Sequence, residues 1–227
     1  MCFHDAISLL RSLVVAGTLW VAAYQDFRTR EIDDKVWIAG TLLATPLLAA
    51  ELASGRIVLQ LYLLSLAVSL ALAVLSLKLG LTGEADAIAF AFLGFFEPPR
   101  LSPLFAVPLG TILLLSLVPT AFFAAYNVYW NLGKPQKFEG YRLNTLERLV
   151  ALVAMRYVSR EEYERYSYML APATRVDADG LKIEIGVGIP GRAEPPSLPG
   201  FWATALAPYV TFIALGYSAY LALCWLL

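Results

Sequence analysis

The chain has 227 residues, 59% of them hydrophobic and 15% charged, against roughly 45–50% and about 25% in soluble domains. A mean hydropathy of +0.66 exceeds what a water-soluble fold of this length can hide, so the sequence reads as a membrane protein. The net charge of -1 excludes a strongly basic nucleic-acid binder, the distant Cys2 and Cys224 exclude a disulfide scaffold, and the single His4 excludes most metal and Ser-His chemistry.

Crossing the hydrocarbon as a helix takes about 20 apolar residues. The first such run is Ala6 to Tyr24, broken by Arg11; no small-residue cleavage site follows it, so it is expected to be a retained span. The second is Val36 to Ala53, with Pro46 inside, and the third is Ile57 to Leu77, free of charge. The fourth, Ala85 to Phe96, is short and must tilt, thin the bilayer or lean on its neighbours. The fifth, Pro103 to Trp130, ends in Tyr126, Tyr129 and Trp130, which suit a membrane interface. The sixth is Phe201 to Leu227.

Residues 131–200 hold 19 of the 35 charged residues and belong outside the bilayer. Asn144-x-x-Glu147 and Ser159-x-x-Glu162 have capping-box spacing. Leu146, Leu149, Val150, Val153 and Tyr157 recur at helical spacing, which predicts an amphipathic helix. Asp179-Gly180 between two short strand-like stretches predicts a hairpin. The expected architecture is an all-α polytopic membrane protein of six transmembrane helices with a small α+β cytoplasmic insert between the fifth and sixth. Its parts are a membrane domain (1–130), a soluble insert (131–200) and a last transmembrane helix (201–227).

Counting basic residues near the span ends puts Arg28, Arg30, Lys35, Lys78, Lys134, Lys137, Arg142 and Arg192 in the cytoplasm and Arg11, Arg56 and Arg100 outside. Both termini are then expected outside. The same topology brings two acidic motifs to the cytoplasmic side, one around Asp26 after the first span and one around Asp86 at the start of the fourth. A carboxylate at membrane depth is costly and points to function. Position alone leaves two plainer roles open: Asp26 as an interface acid pairing with Arg28 or Arg30, and Asp86 as a first-turn acid favoured by the helix dipole. As a pair, two carboxyl groups sharing a site can work as an acid and a base, one activating water and the other hydrogen-bonding a scissile carbonyl. Gly80 and Gly83 would supply backbone freedom beside the second acid.

Gln25-Asp26-Phe27-Arg28-x-Arg30-Glu31-Ile32 followed by Trp37, together with Gly83-x-Ala85-Asp86, resembles the archaeal preflagellin peptidases of the type IV prepilin peptidase-like GxGD intramembrane aspartyl proteases. The resemblance covers essentially the whole chain and departs from the name-giving motif at Ala85, where that motif has glycine. It implies that Asp26 and Asp86 are the catalytic aspartates, supported by Gly83, Ala85, Gly80, Arg28 and Arg30. It also implies cleavage of a short basic leader from archaellin or type IV pilin-like precursors at the cytoplasmic membrane face, with no metal or cofactor. Glu31, Asp33, Asp34 and Glu84 would attract such a leader, although pairing with Arg28, Arg30 and Lys35 is a competing role for the first three. Bacterial prepilin peptidases carry a cysteine-rich insert and an N-methyltransferase activity; the first cytoplasmic loop here is too short for that insert, so peptidase activity without methylation is expected. A proton-coupled carrier using the same aspartates and a non-enzymatic filament-assembly factor are the alternative readings.

Overall fold

The apolar runs become helices because a backbone in lipid must satisfy its own hydrogen bonds. The computed structural model describes residues 6–78, 83–100, 107–134, 137–177, 180–184 and 195–226. Cys2, His4, Gly80, Asp179 and Arg192 lie outside the described residues. Five helices are long and apolar enough to span a membrane: α1 (Ala6–Thr29), α2 (Asp34–Ala53), α3 (Leu59–Lys78), α5 (Pro108–Leu132) and α8 (Tyr209–Leu226). Helix α4 (Glu84–Phe96) has 13 residues, about 20 Å at 1.5 Å per residue, and falls short of the hydrocarbon thickness. The protein is thus a mostly helical, multi-pass membrane protein with a small strand-containing region near its C-terminus.

The chain divides into two compact units, residues 1–119 with 208–227, and residues 120–207. In the first, glycines sit where helices cross. A Cβ on Gly94 would overlap the Ser69 side chain, and one on Gly216 would overlap that of Ser116, so α4 meets α3 and α8 meets α5 at backbone distance. Trp37 of α2 is buried against Phe92 of α4, with ring centroids 5.5 Å apart.

One end of this unit is fastened by buried charge. Arg11 is 1% exposed and donates through Nε to Glu51 Oε1 at 2.7 Å, through Nη1 to Glu97 Oε2 at 3.3 Å, and to the Phe96 carbonyl. Glu97, also 1% exposed, accepts in addition from Arg100 Nη2 at 2.6 Å, from the Tyr217 hydroxyl at 2.7 Å and from the Tyr220 hydroxyl at 3.4 Å. Two cations and two carboxylates therefore neutralise one another among α1, α2, α4 and α8. Arg11 and Arg100, counted in sequence among the charges on the outer side, are parts of this network. Arg11 serves it from within α1, and Arg100 from just beyond α4.

In the second unit, strand β1 (Met155–Ser159), β2 (Leu170–Pro172) and β5 (Gly200–Ala205) form an antiparallel sheet in the order β1-β5-β2, and β3 (Thr174–Asp177) pairs antiparallel with β4 (Gly180–Ile183). Helices α6 (Thr145–Ala154) and α7 (Arg160–Arg165) both begin with reciprocal capping boxes, Asn144 with Glu147 and Ser159 with Glu162. Residues 201–205, expected to open the last span, instead form most of β5. The run is apolar because it is buried within protein: Phe201, Trp202 and Ala203 are all 0% exposed. The Trp202 ring stacks on Phe138, and its Nε1 donates to the Lys137 carbonyl at 2.7 Å. The last membrane helix starts only after Pro208.

Removing Glu97 takes away the carboxylate that Arg100 and Arg11 share and leaves Arg11 with Glu51 alone, and breaking a buried ion pair costs about 3–5 kcal/mol. Glu97→Ala is therefore expected to lower the thermal unfolding midpoint of the detergent-solubilised protein sharply, with Glu97→Gln in between. A wild-type midpoint for Glu97→Ala would refute the role given to the cluster.

Candidate active site

Asp26 does not follow the first helix but lies inside it, because α1 continues beyond Tyr24 to Thr29. Four residues further on, Arg30 closes the helix: its N–H donates to the Asp26 carbonyl at 3.2 Å, and its φ is +60°. That left-handed conformation is costly for a side chain larger than glycine. Here it accompanies a buried guanidinium, 6% exposed, with Nη1 3.7 Å from Asp26 Oδ1. The connection to α2 is pinned separately. The Asp33 N–H donates to Gln25 Oε1 at 2.9 Å, while Asp33 Oδ1 caps α2 by accepting from the Lys35 N–H at 2.9 Å.

The Asp26 carboxylate also meets the start of α8. The Thr211 N–H reaches Asp26 Oδ2 at 3.4 Å, and the Thr211 hydroxyl donates to the Ala23 carbonyl at 3.0 Å. The first backbone N–H groups of a helix lack partners within it and carry the positive end of its dipole, so they suit a carboxylate. Asp26 is buried between this helix end and Arg30.

Asp86 is the third residue of α4 and accepts from the Gly83 N–H through Oδ2 at 3.0 Å, which is the helix-starting role that its position suggested. The same carboxylate also lies within electrostatic reach of Asp26 and Arg30. The structure therefore brings Asp26, Arg30 and Asp86 to one locality, with each carboxylate held by its own partners. Arg28 is not part of it: this residue is exposed and donates to the Tyr24 hydroxyl at 2.9 Å. Glu31, Asp33, Asp34 and Glu84 are all exposed. Asp33 also pairs with Lys35 at 3.5 Å, and its capping bond from the Lys35 N–H holds its carboxyl below the usual range, against desolvation and with the help of the Lys35 cation.

Gly83 does not supply the special backbone that its position suggested. Its φ of -76° and ψ of 169° are open to any residue, and an added Cβ would meet only Asp86 Oδ2, at 3.7 Å. Ala85 is half-buried and packs against the core. Thr211 and Tyr209 were missed in the sequence, being hidden in the apolar run assigned to the last span. Tyr209 stands edge-on to Phe90 at 6.3 Å and feels the charge of Asp86. A Pro followed by a polar residue within a helix's first turn was the available signal. Among the described residues, no group of three or more His, Cys, Asp or Glu side chains is gathered that could hold a metal ion.

Two acids held at helix ends inside a polytopic bundle define a membrane protein with a candidate aspartic site. The sequence profile of the type IV leader peptidase family matches residues 13–129, more than half of the chain and a stretch containing both Asp26 and Asp86. The chain belongs to that family and is a prepilin/preflagellin peptidase-like protease. No curated protein matches it significantly.

Because Gly83 is an extended N-cap, Gly83→Ser can add a side-chain cap to α4. The expected result is an unchanged thermal midpoint or a gain of about a few tenths of a kcal/mol. A marked loss of stability would mean that the backbone there does require glycine.

Proposed function

We propose that Asp26 and Asp86 are the catalytic pair of an intramembrane aspartic endopeptidase of the GxGD class. It removes the short basic leader of archaellin or type IV pilin-like precursors at the cytoplasmic membrane face and does not methylate the product. The observation that carries this reading is the convergence of the two carboxylates and Arg30 in a chain whose family match spans both motifs. The α4 segment then counts as a sixth, short span, the site faces the cytoplasm and both termini lie outside. The soluble insert begins near residue 131 and extends past residue 200 to include β5.

The surroundings divide the labour between the two acids. Arg30 and the N-terminus of α8 face Asp26 and favour a negative charge there. Asp26 is thus the base that activates water, and Asp86 carries the proton that hydrogen-bonds the scissile carbonyl. Attack by water gives a gem-diol. Proton return to the departing amine releases the leader without a covalent intermediate. Asp86 can keep the Gly83 N–H on Oδ2 while a proton on Oδ1 reaches the scissile carbonyl. The substrate arrives unwound, because helical hydrogen bonds occupy the carbonyl to be attacked. The exposed Glu31, Asp34 and Glu84, with a smaller part for Asp33, draw the basic leader inward. Only residues 30–33 join α1 to α2, which leaves no room there for the insert of the bifunctional bacterial enzymes.

The test is cleavage of a co-expressed archaellin- or pilin-like precursor, with protein levels matched. Asp26→Asn and Asp86→Asn are each expected to lose cutting by at least about 10²-fold. Undiminished cleavage in either variant would overturn the assignment and favour a carrier or an assembly factor. The intact mass of the mature product is expected to show a free, unmethylated N-terminus.

A further inference from the structure

The amphipathic helix predicted from Leu146, Leu149 and Val153 forms as α6, and its apolar stripe faces outward. Leu146, Leu149 and Val153 are 70%, 56% and 44% exposed, one beneath another along the helix. The opposite face carries Ala151, which is fully buried in the core around Trp202, with Leu152 alongside. A ten-residue helix that offers branched aliphatic side chains on its outer surface loses hydrophobic stabilisation in water.

The position of α6 indicates what covers that face. Its last turn and strand β1 are bolted to the final turns of α5. Asn127 Nδ2 donates to the Val153 carbonyl at 3.0 Å, and Asn131 Nδ2 donates to the carbonyls of Leu152 at 3.1 Å and Met155 at 2.8 Å. The Tyr157 N–H returns a bond to Asn131 Oδ1 at 2.9 Å. Asn127 and Asn131 are each 0% exposed, so this joint is fully formed. It falls among Tyr126, Tyr129 and Trp130, the aromatic belt with which α5 leaves the hydrocarbon. On α5 itself Phe122, Tyr126 and Tyr129 are 73%, 48% and 75% exposed, so an uncovered aromatic surface adjoins the joint on a helix long and apolar enough to span a membrane.

Charge agrees with this placement. Arg142, just before α6, and Arg148, on the Ala151 side with its guanidinium 5.6 Å from the Phe138 ring centroid, are exposed, and the Arg156 guanidinium lies 5.0 Å from the Tyr126 ring centroid and 5.6 Å from that of Trp130. The one acid on α6, Glu147, is committed to its capping box, accepting from the Asn144 N–H at 2.8 Å. A short helix with an exposed aliphatic face, exposed arginines near it and an aromatic belt beside it matches the chemistry of the headgroup boundary of an anionic leaflet.

We propose that α6 is an interfacial anchor. It lies in the headgroup region of the leaflet where α5 ends, with Leu146, Leu149 and Val153 inserted among the upper acyl chains. The anchor holds the second unit at the membrane surface and is independent of whether Asp26 and Asp86 cut peptide bonds.

The experiment uses the full-length protein, with Cys2→Ser and Cys224→Ala, reconstituted into phosphatidylcholine/phosphatidylglycerol vesicles. An environment-sensitive fluorophore is placed at Leu146→Cys, Leu149→Cys or Val153→Cys, with Glu164→Cys on exposed α7 as the water-facing reference. Lipid-borne nitroxide is expected to quench the three α6 positions several-fold more than position 164, and aqueous iodide to do the reverse. Equal iodide quenching at all four sites would overturn the proposal. Protection from both quenchers would overturn it in favour of a protein cover, either a second copy or a bound precursor. A photo-crosslinking benzoylphenylalanine at position 149, in a chain that keeps both cysteines, tests the same point. Lipid adducts support the anchor, and adducts to protein alone refute it.

Discussion

The first unit depends on a buried charge that cannot leave its partners. Glu97 would be prohibitively costly in an apolar bundle if it were alone, and so would Arg11. Together with Glu51, Arg100 and the hydroxyls of Tyr217 and Tyr220 they form a closed network. Its geometry sets the mutual position of α1, α2, α4 and α8. Asp26 lies 15 residues along α1 from Arg11, about 22 Å at the helical rise, and Asp86 lies 11 residues before Glu97. One end of the bundle is thereby locked by ion pairs. The other carries two carboxylates held by weaker bonds, which suits an arrangement in which one end stays fixed and the other adjusts to a substrate.

The connection at Arg30 concentrates the remaining strain. Glycine would relieve the backbone there at no steric cost, and most helices that end in this conformation use it. An arginine in that place trades backbone comfort for a cation beside Asp26. The neighbouring loop is held without it, through Gln25 and the capping carboxylate of Asp33. The strain thus serves the locality of the carboxylates rather than the turn.

Much of this was legible from residue patterns. Run lengths located α2 and α3 to within two residues, ended α1 five residues short and began the last helix eight residues early, and the capping boxes at Asn144 and Ser159 appeared as spaced. The acid pair was visible because acids are rare in apolar sequence. Three features were not legible, each for a physical reason. Phe201 to Ala205 is as apolar as a span because both faces of β5 are buried in protein, and composition does not distinguish protein from lipid surroundings. The Glu97 network joins residues up to 123 positions apart, so no local window contains it. The outward stripe of α6 has the same periodicity as an inward one, because spacing identifies a face without saying which way it points.

The bond between Thr211 and Asp26 joins residues 185 positions apart in the chain. During synthesis, α1 is made long before α8 exists, and residues 120–207 must emerge in between. Throughout that interval the Asp26 carboxylate lacks the helix end that faces it in the finished protein, and Glu97 lacks its two tyrosines. Asp26 gains this partner only when the final helix is made, so a nascent or C-terminally truncated chain carries both aspartates without the Thr211 N–H that faces Asp26. The setting of Asp26 is therefore fixed at the end of synthesis rather than at its start.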